Sequence, residues 1–200
     1  MKTTSKASIA ASVLFAAAVI YRLTLGFAGG HVGFLSNFAP LAAIALCGGI
    51  YLPRRLAIIV PLAALFVTDL ALNWHYGYAL VTGEMLSRYF ALGATVAIGF
   101  ALRGRASLRT VLSASILGSL IFYIVTNTSS WLTWPGYAKT FSGWFQALTV
   151  GLPGYAPTWM FFRSTLVSDL LFSALFVLCM AATSAPKFAT QPAKLEAANR

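Results

Sequence analysis

The sequence predicts an all-α, polytopic membrane protein of six transmembrane helices with both termini in the cytoplasm, on three observations. First, its 200 residues are 59% hydrophobic and only 9% charged, where soluble domains carry about 25% charge. Second, the apolar residues fall in continuous runs near 7–27, 37–52, 56–73, 85–102, 108–126 and 158–182. Most of these approach the roughly 20 residues a helix needs to cross about 30 Å of hydrocarbon, whereas a spanning β-barrel would show alternating segments of about ten. Third, the 14 basic residues divide unevenly between alternate connections. Lys2, Lys6, Arg54, Arg55, Arg103, Arg105, Arg109, Lys187, Lys194 and Arg200 fall on one side, against Arg22, Arg88, Lys139 and Arg163 on the other. The richer side is cytoplasmic by the positive-inside rule. Residues 1–183 then form one transmembrane domain, and 184–200, with Pro186 and Pro192, a disordered cytoplasmic tail.

Helix one has a basic start, as a signal peptide would, but its apolar part is too long and lacks a small-x-small cleavage site, so it reads as a retained helix. Ser8, Ser12 and Ala16 make a smooth stripe along it, suited either to a partner helix or to packing within the chain. Arg22 lies near its outer end. A glycine-rich outer loop with His31 follows, then Asn37 as a helix cap and Pro40 in the first turn. Helix two is short and rich in Ala and Gly, and Pro53-Arg54-Arg55 turns the chain on the inner side. Pro61 is expected to kink helix three, whose outer end carries Asp69. The loop Asn73-Trp74-His75-Tyr76-Gly77-Tyr78 crowds amide, indole, imidazole and phenol groups together.

Glu84 and Arg88 open helix four, and helix five is expected to end near Thr126-Asn127. About thirty outer residues then include Trp131, Trp134, Tyr137, Trp144, Tyr155 and Trp159, and a loop of that length is usually functional. Within it, residues from about 139 to 150 suit an interfacial helix with Phe141, Trp144, Phe145 and Leu148 on one face. Helix six follows Pro157 and carries Arg163 and Asp169. Cys47 and Cys179 both fall inside apolar runs, where a thiol serves as a small hydrophobe.

Charges inside helices cost several kcal/mol unless paired or hydrated, so each requires a reason. Two readings fit Asp69, Arg88, Arg22, Arg163 and Asp169. One is neutralising pairs, Asp69 with Arg88 or Arg22 and Arg163 with Asp169; the other is a polar cavity open to the outside, which the same pairs would line. The net charge of +10 is dispersed over four inner segments, which fits orientation and contact with anionic lipid rather than nucleic acid. No HExxH, GxSxG, Walker loop or CxxC pair occurs, so no enzyme class is indicated. Two histidines alone rarely hold a metal, although one can ligate a cofactor's metal axially.

Several segments together resemble the S components of energy-coupling-factor transporters. They are Ser36-Asn37-Phe38-Ala39-Pro40, residues 42–49, Pro61-Leu62-Ala63-Ala64, Thr68-Asp69-Leu70, His75-Tyr76-Gly77, Thr126-Asn127 and Ser168-Asp169-Leu170. The resemblance covers most of residues 20–180 and is closest to the solitary cobalamin-specific S components of Gram-negative bacteria. It implies a multi-pass protein of the bacterial inner membrane that captures a vitamin between outer loops and helix ends. It also implies a scaffold and ATPase subunits as partners, met through helix one at Ser8, Ser12 and Ala16. The implied ligand is cobalamin or a related corrinoid, with no intrinsic cofactor. The family's cobalt-ligating loop cysteine is missing, and His75 is the chemical substitute, an axial ligand to the cobalt of bound cobalamin. The expected substrate site comprises Asn37, Asp69, Trp74, His75, Tyr76, Arg88, Asn127 and Trp131. A structural or assembly protein binding through helix one and the aromatic loop is the first rival reading, and a lipid-modifying membrane enzyme the second.

Overall fold

The computed structural model describes residues 5–27, 38 and 40–184. Those residues form α1 (Ser5–Phe27), α2 (Leu41–Tyr51), α3 (Arg54–His75), α4 (Glu84–Ala101), α5 (Leu108–Thr133), α6 (Phe141–Leu148) and α7 (Thr158–Ser184), with no strand among them. The protein is thus all-helical. Three helices, α3, α5 and residues 158–182 of α7, are long and apolar enough to cross a membrane.

The bundle is organised around α2, which packs against α3, α4, α5 and α7. Every residue from Leu41 to Ile50 is buried. Small side chains make this central position possible, because they let neighbouring backbones approach. At the crossing with α4, Gly49 and Gly99 meet backbone to backbone: a Cβ on Gly99 would lie 2.4 Å from the Leu46 carbonyl oxygen and 2.8 Å from Gly49 Cα. Larger side chains fill the remaining space on either side. Leu41 and Ala45 pack with Leu65, Leu92 and Val96, and Leu46 and Ile50 with Val111 and Ala114. α1 rests on α3 and α7.

Two helices differ in length from the sequence expectation. α2 begins at Leu41, with Pro40 rather than Asn37 at the cap position; Asn37 itself lies outside the described residues. Its 11 residues extend only about 16 Å, roughly half the hydrocarbon thickness. α5 runs on to Thr133, about two turns beyond the expected end at Thr126-Asn127. Polar side chains in that extension bond back to their own helix: Asn127 Nδ2 donates to Tyr123 O at 2.8 Å and Thr133 Oγ1 to Ser129 O at 2.9 Å. Pro61 is buried within the continuous helix α3. Residues 185–200, the expected tail, lie outside the described residues.

The helix expected within residues 139–150 is α6. Thr140 caps it by accepting the Gly143 N–H at 3.2 Å. Gly143 and Ala147, one turn apart, form its buried face, while Phe141 and Phe145 point outward. The helix is tied to α5 by Tyr123, whose hydroxyl donates to Leu148 O, and by Trp144 Nε1, which donates to Thr128 Oγ1 at 2.9 Å. Lys139 bonds the carbonyls of Trp131 and Trp134, a cation at the negative end of the α5 dipole.

Candidate functional site

The two ends of the bundle are chemically different. The basic end gathers Arg54, Arg55, Arg103, Arg105 and Arg109 around the α2–α3 and α4–α5 turns; the other, aromatic end gathers the last turns of α1, α3 and α5 with α6. At the basic end Arg103 donates from Nε to Gly49 O at 2.7 Å and from Nη2 to Leu52 O at 2.6 Å. These are carbonyls at the C-terminus of α2, which have no partner within their own helix. The Phe100 ring lies 4.6 Å from the guanidinium carbon. Burial, and then the Arg54 charge, lower the Arg103 pKa from its ordinary value, but arginine keeps its proton in proteins.

Asp169 does the matching work at the other end of α2. It is fully buried on α7, and its Oδ1 accepts the Ala43 N–H at 3.0 Å, in the first turn of α2. Pro40 makes no side-chain cap there, so the carboxylate arrives from another helix. Oδ2 accepts from Ser119 of α5 at 2.8 Å. A second buried hydroxyl contact, Ser173 to Ser115 at 3.2 Å, joins α7 to α5 further along. The expected partner Arg163 instead lies over the Trp159 ring, 5.6 Å from its centroid. Asp169 is accounted for as an architectural group.

The second charged cluster joins α1, α3 and α4 near the aromatic end. Asp69 of α3 is only 4% exposed. Arg22 of α1 donates from Nη2 to Asp69 Oδ1 at 2.9 Å, and its Nη1 bonds the Thr68 hydroxyl. Arg88 of α4 places Nη2 3.2 Å from Asp69 Oδ2. Asp69 therefore pairs with both arginines, where at least one was expected. The second contact is an ion pair without hydrogen-bond geometry: Asp69 Oδ2, Arg88 Nε and the neighbouring Tyr89 hydroxyl are all buried without a hydrogen-bond partner. Thr68 and Tyr89 were not anticipated from the sequence, although Thr68 adjoins Asp69 and Tyr89 adjoins Arg88.

Helical rotation decides which of the aromatic residues can belong to this cluster. At about 100° per residue, Tyr76 lies within about 20° of the Asp69 face of α3, whereas His75 lies about 120° away. Tyr76, which caps α3, indeed donates its hydroxyl to Gly26 O of α1. His75 is not in a loop, as expected, but is the last residue of α3. It is exposed, with its ring 5.1 Å from Phe27 and 5.0 Å from Tyr76. Trp74 is 79% exposed. The expected residues on α5 are engaged elsewhere: the Asn127 amide bonds its own helix, and Trp131 Nε1 donates to Ala138 O at 2.8 Å. The structure thus unites Asp69 and Arg88, sets Tyr76 above them, and attaches Asn127 and Trp131 to the α5–α6 region.

On α1, Ser12 and Ala16 are exposed, while the side chain of Ser8 lies outside the described residues. Among the described residues no group of three or more His, Cys, Asp or Glu side chains could hold a metal ion. Comparison with curated proteins and with solved structures returns no match. A family model described as a family of unknown function, DUF6580, matches residues 2–192, and the chain belongs to that family.

Proposed function

We propose that this protein is a membrane-embedded substrate-binding subunit of the energy-coupling-factor type, capturing a vitamin at its aromatic end. The observation that carries the reading is the Arg22–Asp69–Arg88 cluster. It costs the fold buried, incompletely bonded charge, joins three helices, and lies below Tyr76, whose ring adjoins those of His75 and Tyr78 at the same end of the bundle. Such convergence of a few polar groups under aromatic surface is how small-molecule sites are generally built. The apolar exterior supports a lipid setting: Phe66, Val67, Phe90, Leu171 and Leu178 all point away from the bundle. In this reading α1, α3, α4, α5 and α7 cross the inner membrane of a bacterium and the short α2, enclosed by its neighbours, supplies the sixth pass, with the basic end and both termini cytoplasmic. The exposed face of α1, with Ser12 and Ala16 beside Ile9, Val13 and Ile20, would meet the scaffold subunit that links it to ATPases.

The proposed ligand is a corrinoid, with His75 as axial ligand to its cobalt. A neutral imidazole at an exposed helix end offers one nitrogen to a metal. The test is the absorption and mass spectrum of small molecules retained by gently purified protein, followed by titration with cobalamin. A corrin spectrum that shifts in His75→Ala supports both ligand and donor. Retention of no corrinoid, and no binding on titration, would reject the ligand. The assembly reading rests on the same exposed face of α1, and a stable protein complex lacking any small ligand would favour it.

A further inference from the structure

We infer that the Arg22–Asp69–Arg88 cluster is an oxyanion site, seating a phosphate or carboxylate group between α1, α3 and α4. Two guanidinium groups meet one carboxylate, leaving one positive charge uncancelled (2 − 1). The chain has only four acidic residues with which to cancel it. Asp169 serves α2 and Ser119, Glu196 lies outside the described residues, and Glu84, one turn before Arg88 on α4, makes no ion pair among the described residues.

Arg22 has both terminal nitrogens engaged, on Thr68 and Asp69. Arg88 makes no hydrogen bond through Nε, and its Nη2 contact with Asp69 is an ion pair only. A guanidinium carries five N–H donors, so most of those on Arg88 await an acceptor. Its side chain is 25% exposed, which leaves an edge open to an incoming group. Beside it the buried Tyr89 hydroxyl also lacks a partner. Water can accept from these donors but cannot cancel the charge. An oxyanion does both, and the planar fork of arginine matches phosphate and carboxylate oxygens two at a time.

The inference rests on the cluster being a binding site, but not on the ligand being a corrinoid. The two can fail separately: corrinoid retention without any oxyanion response would sink only this inference, and the converse result only the corrinoid.

The experiment places the full chain in phosphatidylcholine nanodiscs and follows its melting temperature during titration with inorganic phosphate at constant ionic strength. A second arm replaces part of the lipid with phosphatidylglycerol. Ligand that binds only the folded state raises the midpoint in a saturable way. Phosphate stabilisation identifies a solute as the source, and stabilisation confined to phosphatidylglycerol identifies a lipid headgroup. Arg88→Gln should abolish the response. Asp69→Asn raises the cluster's net charge from one to two (2 − 0) and should lower the half-saturating concentration, by roughly tenfold or more at interior dielectric. The inference is overturned if the wild type responds to neither arm, if Arg88→Gln responds equally, or if Asp69→Asn gains no affinity. Should Arg88→Gln fail to fold, the sign of the Asp69→Asn effect decides.

Discussion

Two glycines on one helix provide the sharpest test of how the bundle is packed. Gly99 and Gly93 both lie inside α4, yet the same substitution to alanine should act in opposite directions. At Gly93 a Cβ meets nothing within 4 Å, so Gly93→Ala brings only the restriction of the unfolded backbone and a better helix former, a gain of about 0.5–1 kcal/mol. At Gly99 the Cβ would lie 2.4 Å from Leu46 O, where real Cβ atoms keep at least 3.0 Å, so α2 and α4 must separate by about 0.6 Å (3.0 − 2.4). The obstacle is backbone on both sides and cannot rotate away. Overpacking of this kind typically costs 1–3 kcal/mol, and it also strains the Arg103 bond to Gly49 O, four residues further along. The two variants should therefore differ by roughly 1.5–4 kcal/mol, or about 3–16 °C in melting temperature for a chain of this size. Cys47 is fully buried, so a fluorogenic maleimide reports its exposure on unfolding, read in a Cys179→Ala background. A Gly99→Ala protein as stable as Gly93→Ala would refute the close α2–α4 approach.

The ends of α2 give a second prediction. Asp169→Ala leaves the Ala43 N–H without its acceptor, while Ser119 keeps Ser115 O, and should cost roughly 1–3 kcal/mol, whereas Asp169→Asn keeps an acceptor oxygen and should cost less than about 1 kcal/mol. Equal melting temperatures for the two variants would show that the cap contributes nothing. Arg103→Ala removes two charge-assisted bonds to carbonyls and should destabilise by about 2–3 kcal/mol, with Arg103→Lys recovering only part because an ammonium cannot reproduce the fork; full recovery would contradict the bidentate arrangement. The proposed orientation predicts that topology reporters fused after Arg200 and inserted between Gly151 and Tyr155 report opposite compartments, and the same compartment for both would remove the six-helix arrangement.

The parts of the fold visible in the sequence are its continuous apolar runs. These mark α3, α4 and α7 to within a few residues because a long uninterrupted apolar segment is the pattern of a helix rather than of alternating strands. Hydropathy does not report hydrogen bonding, which is why α5 was expected to stop at Asn127: its last two turns are polar but satisfied by their own hydroxyl and amide groups. α6 was legible from the spacing of Phe141, Trp144 and Phe145, but the face that packs inward centres on Gly143 and Ala147 with Trp144 bonded to α5, and only Phe141 and Phe145 mark the outside. The partners of Asp169 could not be read at all, since Ala43 is 126 residues away along the chain. For Asp69 a shared position near the outer helix ends narrowed the choice to Arg22 or Arg88, and the structure brings both. His75 was legible as an aromatic-end residue, but its rotation away from the Asp69 face depends on α3 continuing to that position.

A chain with so few acids makes the use of each one informative. Asp169 and Arg103 approach opposite ends of the short, buried helix α2, and each meets the helix pole that attracts it, carboxylate at the N-terminus and guanidinium at the C-terminus. Both charges are thereby answered by backbone groups that would otherwise be left unpaired in a dry interior, and replacing them should change stability alone. Asp69 differs because its two partners overcompensate it and leave donors and an acceptor unmatched in the same small volume. Folding alone gives no reason for a second guanidinium there, since Arg22 already satisfies one carboxylate oxygen with a good hydrogen bond. The same environment that makes unmatched charge expensive makes an arriving anion strongly held. Arg88 is therefore the residue at which a change in ligand binding should exceed the change in melting temperature of the unliganded protein, and Asp169 the residue at which it should not.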